Sequence, residues 1–144
     1  MIDVKGFVAV PGISGISKLI SVTPSGIIIE NIDSKERKFV AMRSHDFSPF
    51  ETISIYTTAD STLLGEVLAT MKAQLSDNPP PPEKAASPVL RGYFTQILPT
   101  HDPDRVHISD IKKIIKWFNY LNTRDLLKEV VVEEEVAVNA AEEI

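Results

Sequence analysis

The segment ISKLISVTPSGIIIENI (residues 16–32) reads as two strands joined by a reversal. ISKLISVT (16–23) alternates apolar and polar side chains, and GIIIENI (26–32) is rich in β-branched residues. Between them Pro24 and Gly26 supply turn chemistry. The pattern continues on both sides. GFVAV (6–10) precedes it across PGISG (11–15), RKFVAMR (37–43) follows across DSKE (33–36), and ETISIYT (51–57) comes next. Asp33 and Ser34 are placed to start the DSKE turn by side chain to backbone hydrogen bonds. Short strands at this spacing predict an antiparallel meander closed into a small SH3-like β-barrel. In RKFVAMR the alternation alone leaves open which face is core.

Helical patterns follow. Ser61 is placed to cap TLLGEVLATMKAQL (62–75), whose Leu64, Val67, Leu68, Met71 and Leu75 recur at helical spacing. Gly65 inside that helix costs about 1 kcal/mol relative to alanine. Pro79–Pro82 then force an extended spacer. Ser87 and Pro88 open a short helix, VLRGYFTQIL (89–98), which Pro99 closes. Ser109 caps DIKKIIKWFNYL (110–121), where Ile111, Ile114, Ile115, Phe118 and Leu121 form one apolar arc with Trp117 at its margin. Asn122 or Thr123 is placed to cap a last short helix through Leu127.

The expected architecture is therefore α+β. A barrel domain with its capping helix occupies 1–77, a proline-rich linker 78–87, and a helical hairpin subdomain 88–128. The acidic tail, 129–144, is expected to be disordered, with an added edge strand as the alternative.

Bulk composition narrows the function classes. A chain of 144 residues suits one or two small domains with thin cores. The absence of cysteine removes disulfides, cysteine-ligated zinc and thiol catalysis. No apolar run approaches the length of a membrane helix, and MIDVKGFVAV lacks the basic start and long apolar stretch of a signal peptide; a cytoplasmic location is expected. The net charge of −5 is unevenly placed, because residues 129–144 hold six glutamates and no base. The remainder carries 15 basic and 14 acidic side chains, so the body is nearly neutral and lacks the dense basic field typical of nucleic-acid binders.

Three constellations are candidate sites. PGISGISKLIS (11–21) places two glycines three apart before Ser17-Lys18, but a phosphate loop needs G-x-x-x-x-G-K-[ST] opening a helix, and here a strand follows. It reads as a turn. His45 stands beside Asp46 in a loop, and His101, Asp104 and His107 have a spacing that a mixed N and O metal site could use. The competing reading is a polar loop with Asx-turns at Asp102 and Asp104 around Pro103, and without a second ligand cluster no metal is assigned. Lys112, Lys113 and Lys116, with Tyr120, form a basic helical face, either the solvated side of a surface helix or a phosphate-tracking face. No G-x-S-x-G elbow or triad spacing appears, so an enzyme is not expected.

A resemblance covers nearly the whole chain. GIIIENID (26–33), ISIYT (53–57) and DRVHISDIKKIIKWFNYL (104–121) together resemble a family of small uncharacterised proteins from Bacteroidetes bacteria. That resemblance implies an N-terminal β domain of unknown function and a short helical C-terminal domain, with no catalytic or binding residue to carry over. The expected role is a non-catalytic binding or scaffolding module acting through protein–protein contacts or self-association. The alternative is an RNA- or DNA-binding accessory protein using the barrel with Lys112, Lys113, Lys116 and Tyr120. No cofactor, metal, membrane or small-molecule ligand is implied.

Overall fold

A computed structural model describes residues 1–10, 12–13, 15–41 and 48–130. Among the described residues the chain is α+β, with three helices and antiparallel sheets. Strands β1 (Phe7–Ala9), β2 (Ser17–Thr23), β3 (Gly26–Asn31), β4 (Arg37–Ala41) and β5 (Ser48–Pro49) form one sheet in the order β4-β3-β2-β1-β5. The sheet is open: among the described residues no pairing joins β4 to β5, so the expected closed SH3-like barrel is not formed. The residues that would have closed it go elsewhere. Residues 51–57 were expected as one strand. Instead Phe50–Thr52 make a 3₁₀ turn, and β6 (Ser54–Tyr56) pairs with β7 (Ser61–Leu63) in a separate hairpin.

Local chemistry explains the turns. In the reversal after β2, the Thr23 hydroxyl donates to Gly26 O at 2.9 Å and accepts from Gly26 N–H at 3.1 Å. The next turn is started by Asn31, whose Oδ1 accepts from the N–H groups of Asp33 (2.8 Å) and Ser34 (2.9 Å). Asp33 was expected in that role; Asn31 takes it and leaves the Asp33 carboxylate free for a distant partner. The ambiguous strand is also settled. Val40 lies opposite Ile27 and packs with the small cluster of Val8, Val10, Ile27 and Ile29, whereas Phe39 lies opposite Ile28 and is half exposed.

Helix α1 (Leu64–Ala73) starts later than expected because Ser61–Leu63 are spent on β7. Gly65 has a packing reason. A Cβ there would lie 2.6 Å from the carbonyl oxygen of Ile2, whose own N–H donates to Gly65 O. Helix α2 (Ser87–Ile97) carries Pro88 in its first turn, with Ala86 rather than Ser87 at the cap. Helix α3 (Ile108–Thr123) is capped at His107, not Ser109, and the His107 N–H donates to the Asp110 carboxylate at 2.9 Å. The expected short helix through Leu127 is absent. The chain turns at Arg124–Asp125 and runs back to pair Glu129 with Ile2. The tail's first two residues are thus engaged with the N-terminus, where Val130 N–H donates to Met1 O; the tail expectation beyond Val130 lies outside the described residues.

The main core crosses the proline run. Phe7, Phe50, Leu68 and Met71 from one side pack in one cluster with Leu90, Phe94, Ile115 and Phe118 from the other. Pro79–Pro82, expected to separate two subdomains, therefore connect segments that share a single apolar interior.

Candidate groove along helix α3

Helix α3 buries Ile111, Ile114, Ile115, Phe118 and Leu121 and turns its lysines outward, as its apolar arc requires. Trp117 sits between the two faces. Its indole is tilted against the fully buried Phe50, with ring centroids 4.7 Å apart, and Phe50 in turn meets Phe7 edge-on at 6.4 Å. Trp117 is thus fixed by the core and still borders solvent.

Two hollows flank this residue. The first, about 270 Å³, lies between α3 and β6 and is lined by Ile55, Tyr56, Arg105, Lys113, Ile114 and Trp117. The second, about 390 Å³, lies between α3 and the β1–β2 loop and is lined by Ile13, Gly15, Ile16, Lys116, Trp117 and Tyr120, with Lys113 at its edge. Because Lys113 and Trp117 wall both, the two hollows are compartments of one trough. Its floor is apolar, and its rim carries Arg105, Lys113 and Lys116 against one carboxylate, Asp110, among the described residues.

The positions named from sequence are partly brought together. Lys113, Lys116 and Tyr120 border the trough; Lys112 lines neither compartment. Tyr120 is not a free stacking platform. The Arg124 guanidinium lies 3.6 Å over its ring, and the ring edge fills the space where a Cβ of Gly15 would stand. Of the PGISG segment, Ile13 N–H donates to Val10 O in a turn, and Gly12, Ile13 and Gly15 line the second compartment; Pro11 and Ser14 lie outside the described residues. Sequence reasoning missed Arg105 and Tyr56, whose side chains meet with the guanidinium 5.0 Å from the ring centroid; nothing in their spacing signals a shared groove.

The histidine constellation does structural work. His101 is buried, its Nδ1 bonds Leu98 O at 2.8 Å, and Arg91 reaches both its Nε2 (3.3 Å) and Val106 O (2.7 Å). Asp102 Oδ1 accepts from Asp104 N–H in the expected Asx-turn, and His107 heads α3. No group of three or more metal-ligating side chains occurs among the described residues. His45 and Asp46 lie outside them. No helix among the described residues is long and apolar enough to cross a membrane.

The family model described as Domain of unknown function (DUF6852) matches residues 53–121, from the residue before β6 into the last turn of α3. A solution NMR structure from Bacteroides vulgatus is similar over 83% of this chain and 85% of that one, with 35% sequence identity and a TM-score of 0.65. The chain belongs to the family of that Bacteroides vulgatus protein. No curated protein matches the chain. All the residues that line the first compartment fall within the matched segment, whereas the β1–β2 loop of the second lies outside it.

Proposed function

We propose that this protein is a non-catalytic binding module that takes a protein partner, a second copy of itself included, along α3. The observation that carries this reading is the trough itself, an apolar floor centred on Trp117 with three cations on its rim. Such a surface suits an apolar segment bearing carboxylates, since burial supplies affinity while complementary charge sets register and encounter rate. The RNA- or DNA-binding alternative is less well supported. It calls for exposed aromatic faces, but Tyr120 is covered by Arg124 and Trp117 leans on Phe50.

The test is capture by the tagged full-length chain from its native host at low salt, comparing the unaltered protein with Lys113→Glu and Trp117→Ala, with and without nuclease. A stoichiometric protein retained after nuclease and lost in both variants supports the reading. Co-eluting nucleic acid released at moderate salt, with no protein that depends on Lys113, overturns it.

A further inference from the structure

The wall opposite α3 in the first compartment is the outer edge of β6. In the β6–β7 hairpin, the Ile53 carbonyl accepts from Leu64 N–H, the Thr57 N–H donates to Asp60 O, and Ile55 lies opposite Thr62. Bonded residues alternate along an antiparallel pair, so the N–H and C=O groups of Ser54 and Tyr56 point away from β7. Residues 100–102 begin to cover that outer edge: Thr58 N–H donates to Thr100 O and Asp102 N–H to Tyr56 O, around the bridge of Thr57 with His101. The chain then leaves in a turn, and Asp102 O accepts from Arg105 and Val106 instead. Among the described residues, Ser54 N–H, Ser54 C=O and Tyr56 N–H have no backbone partner.

We propose that this edge takes an extended peptide of a partner protein, added to β6 as a further strand, with apolar side chains alternating with carboxylates. The proposal rests on the binding reading above and names the partner's shape and chemistry. Three features select that occupant. The open groups are two N–H donors and one carbonyl spaced along one strand, which another extended backbone satisfies in register. The chain itself already pairs with this edge at His101, so the peptide continues a pairing that residues 100–102 begin. Alternate side chains of an added strand face the floor, where Ile114 and Trp117 lie, and the ones between reach the rim. On that rim Asp102 pairs with Arg105 at 3.7 Å, and Asp110 accepts from His107 N–H. Lys113 has no ion-pair partner among the described residues, which makes it the cation that a peptide carboxylate would meet.

The experiment selects binders to the full-length chain from a random heptapeptide library displayed on phage, then titrates the strongest one as a synthetic peptide. Selected sequences should alternate apolar and acidic residues. Methylating the peptide's backbone nitrogens one at a time should weaken binding at least about tenfold at alternate positions and little between them, since every second residue bonds to β6. The Ser54 and Tyr56 amides should exchange freely in the free chain and at least about tenfold more slowly with peptide bound. Ser54→Pro removes an open donor and leaves the β6–β7 ladder intact, and Ile53, at φ −81° and ψ 129°, already has the backbone that a following proline requires. That variant and Lys113→Glu should each weaken peptide binding at least about tenfold, with protection of the Ile55 amide reporting the hairpin. The methyl scan uses the unaltered chain and decides the matter even where Ser54→Pro disturbs the hairpin. An empty selection, binders with a helical period, or methylation without alternation overturns the proposal. Slow exchange at both amides in the free chain also overturns it, because the chain then covers its own edge. Slowing that appears only as protein concentration rises gives the edge to a second copy and overturns it as well. Partner capture that needs Lys113 and Trp117 but survives Ser54→Pro leaves the binding reading standing while strand addition fails.

Discussion

Arg124 grips Asp33 through two N–H···O bonds of 2.8 and 2.9 Å although the two residues lie 91 positions apart. The same guanidinium covers Tyr120, whose ring edge meets Gly15. One side chain thus ties the β3–β4 turn, the end of α3 and the loop walling the second compartment into a single cluster. The pair also makes a statement about acid stability. Hydrogen bonding from Arg124 holds the Asp33 carboxyl below its ordinary value of 3.8. A carboxylate depressed on folding contributes stability above its unfolded value and loses it as pH falls through the lower folded one. Asp33→Asn should therefore be less stable than the unaltered protein at neutral pH, with the difference starting to shrink below about pH 4 and vanishing once pH has fallen through the lower folded value. Urea unfolding of both proteins in neutral and acidic buffer reads this directly. An equal difference at both pH values would assign the effect to turn geometry, not to the ion pair.

Gly15 has a φ of +76° and Gly12 one of +85°, but only Gly15 has a neighbour, with a Cβ there standing 2.6 Å from Tyr120 Cε2. Alanine at either position carries the backbone strain of about 1–3 kcal/mol. Gly15→Ala adds a clash with a ring that Arg124 holds in place. It should therefore cost more than Gly12→Ala in chemical denaturation, and Tyr120→Ala should reduce that excess. Equal costs at the two glycines would show that the ring yields freely.

Much of this was legible. Helix α3, its buried arc and its outward lysines follow from period alone, and so do the meander β1–β4 and its turns. What failed was closure. Residues 51–57 have strand composition, but pairing partner is a tertiary choice, and Ser61–Leu63 lies closer in sequence than β4, the far edge that closure would have to reach. Loop closure over so few residues costs less entropy than a long-range pairing. The trough was illegible for a related reason. Tyr56, Arg105, Lys113 and Gly15 come from four segments, and only the shared core around Phe50 and Trp117 brings them to one place. Asp33 was misread because two neighbouring residues, Asn31 and Asp33, can each start an Asx-turn; the structure gives that turn to Asn31.

Phe50 joins the large sheet to α3 through Phe7 and Trp117, and the core it belongs to spans the proline run. Removing a fully buried phenylalanine costs about 3–5 kcal/mol through lost transfer energy and the cavity left behind. Phe50→Ala should lose stability of that order and should still unfold in one transition, with Trp117 fluorescence and far-UV circular dichroism coinciding. Trp117 is the chain's sole tryptophan, so its emission reports the surroundings of α3 alone. Separate transitions by the two probes would instead divide the molecule at residues 78–87.

Tyr93 offers the sharpest pH test. Its side chain is buried in α2, its hydroxyl has no hydrogen-bond partner among the described residues, and burial pushes its pKa from 10.0 up to about 12. A buried donor without a partner forfeits its bond to water, so Tyr93→Phe should leave stability at neutral pH unchanged or raise it by about 1 kcal/mol. The sign at high pH is fixed by linkage. The unfolded chain releases the phenolic proton near pH 10 and the folded chain near 12, so the folded state holds the proton more tightly and loses stability as pH rises across that interval. The phenylalanine variant lacks this loss. Its advantage over the unaltered protein should therefore widen between about pH 10 and 12, measured as the difference in urea midpoints so that the shared titration of the lysines cancels. A variant less stable than the parent at neutral pH would reveal a partner for the hydroxyl. A constant advantage across the alkaline range would mean that the phenol ionises at its ordinary value.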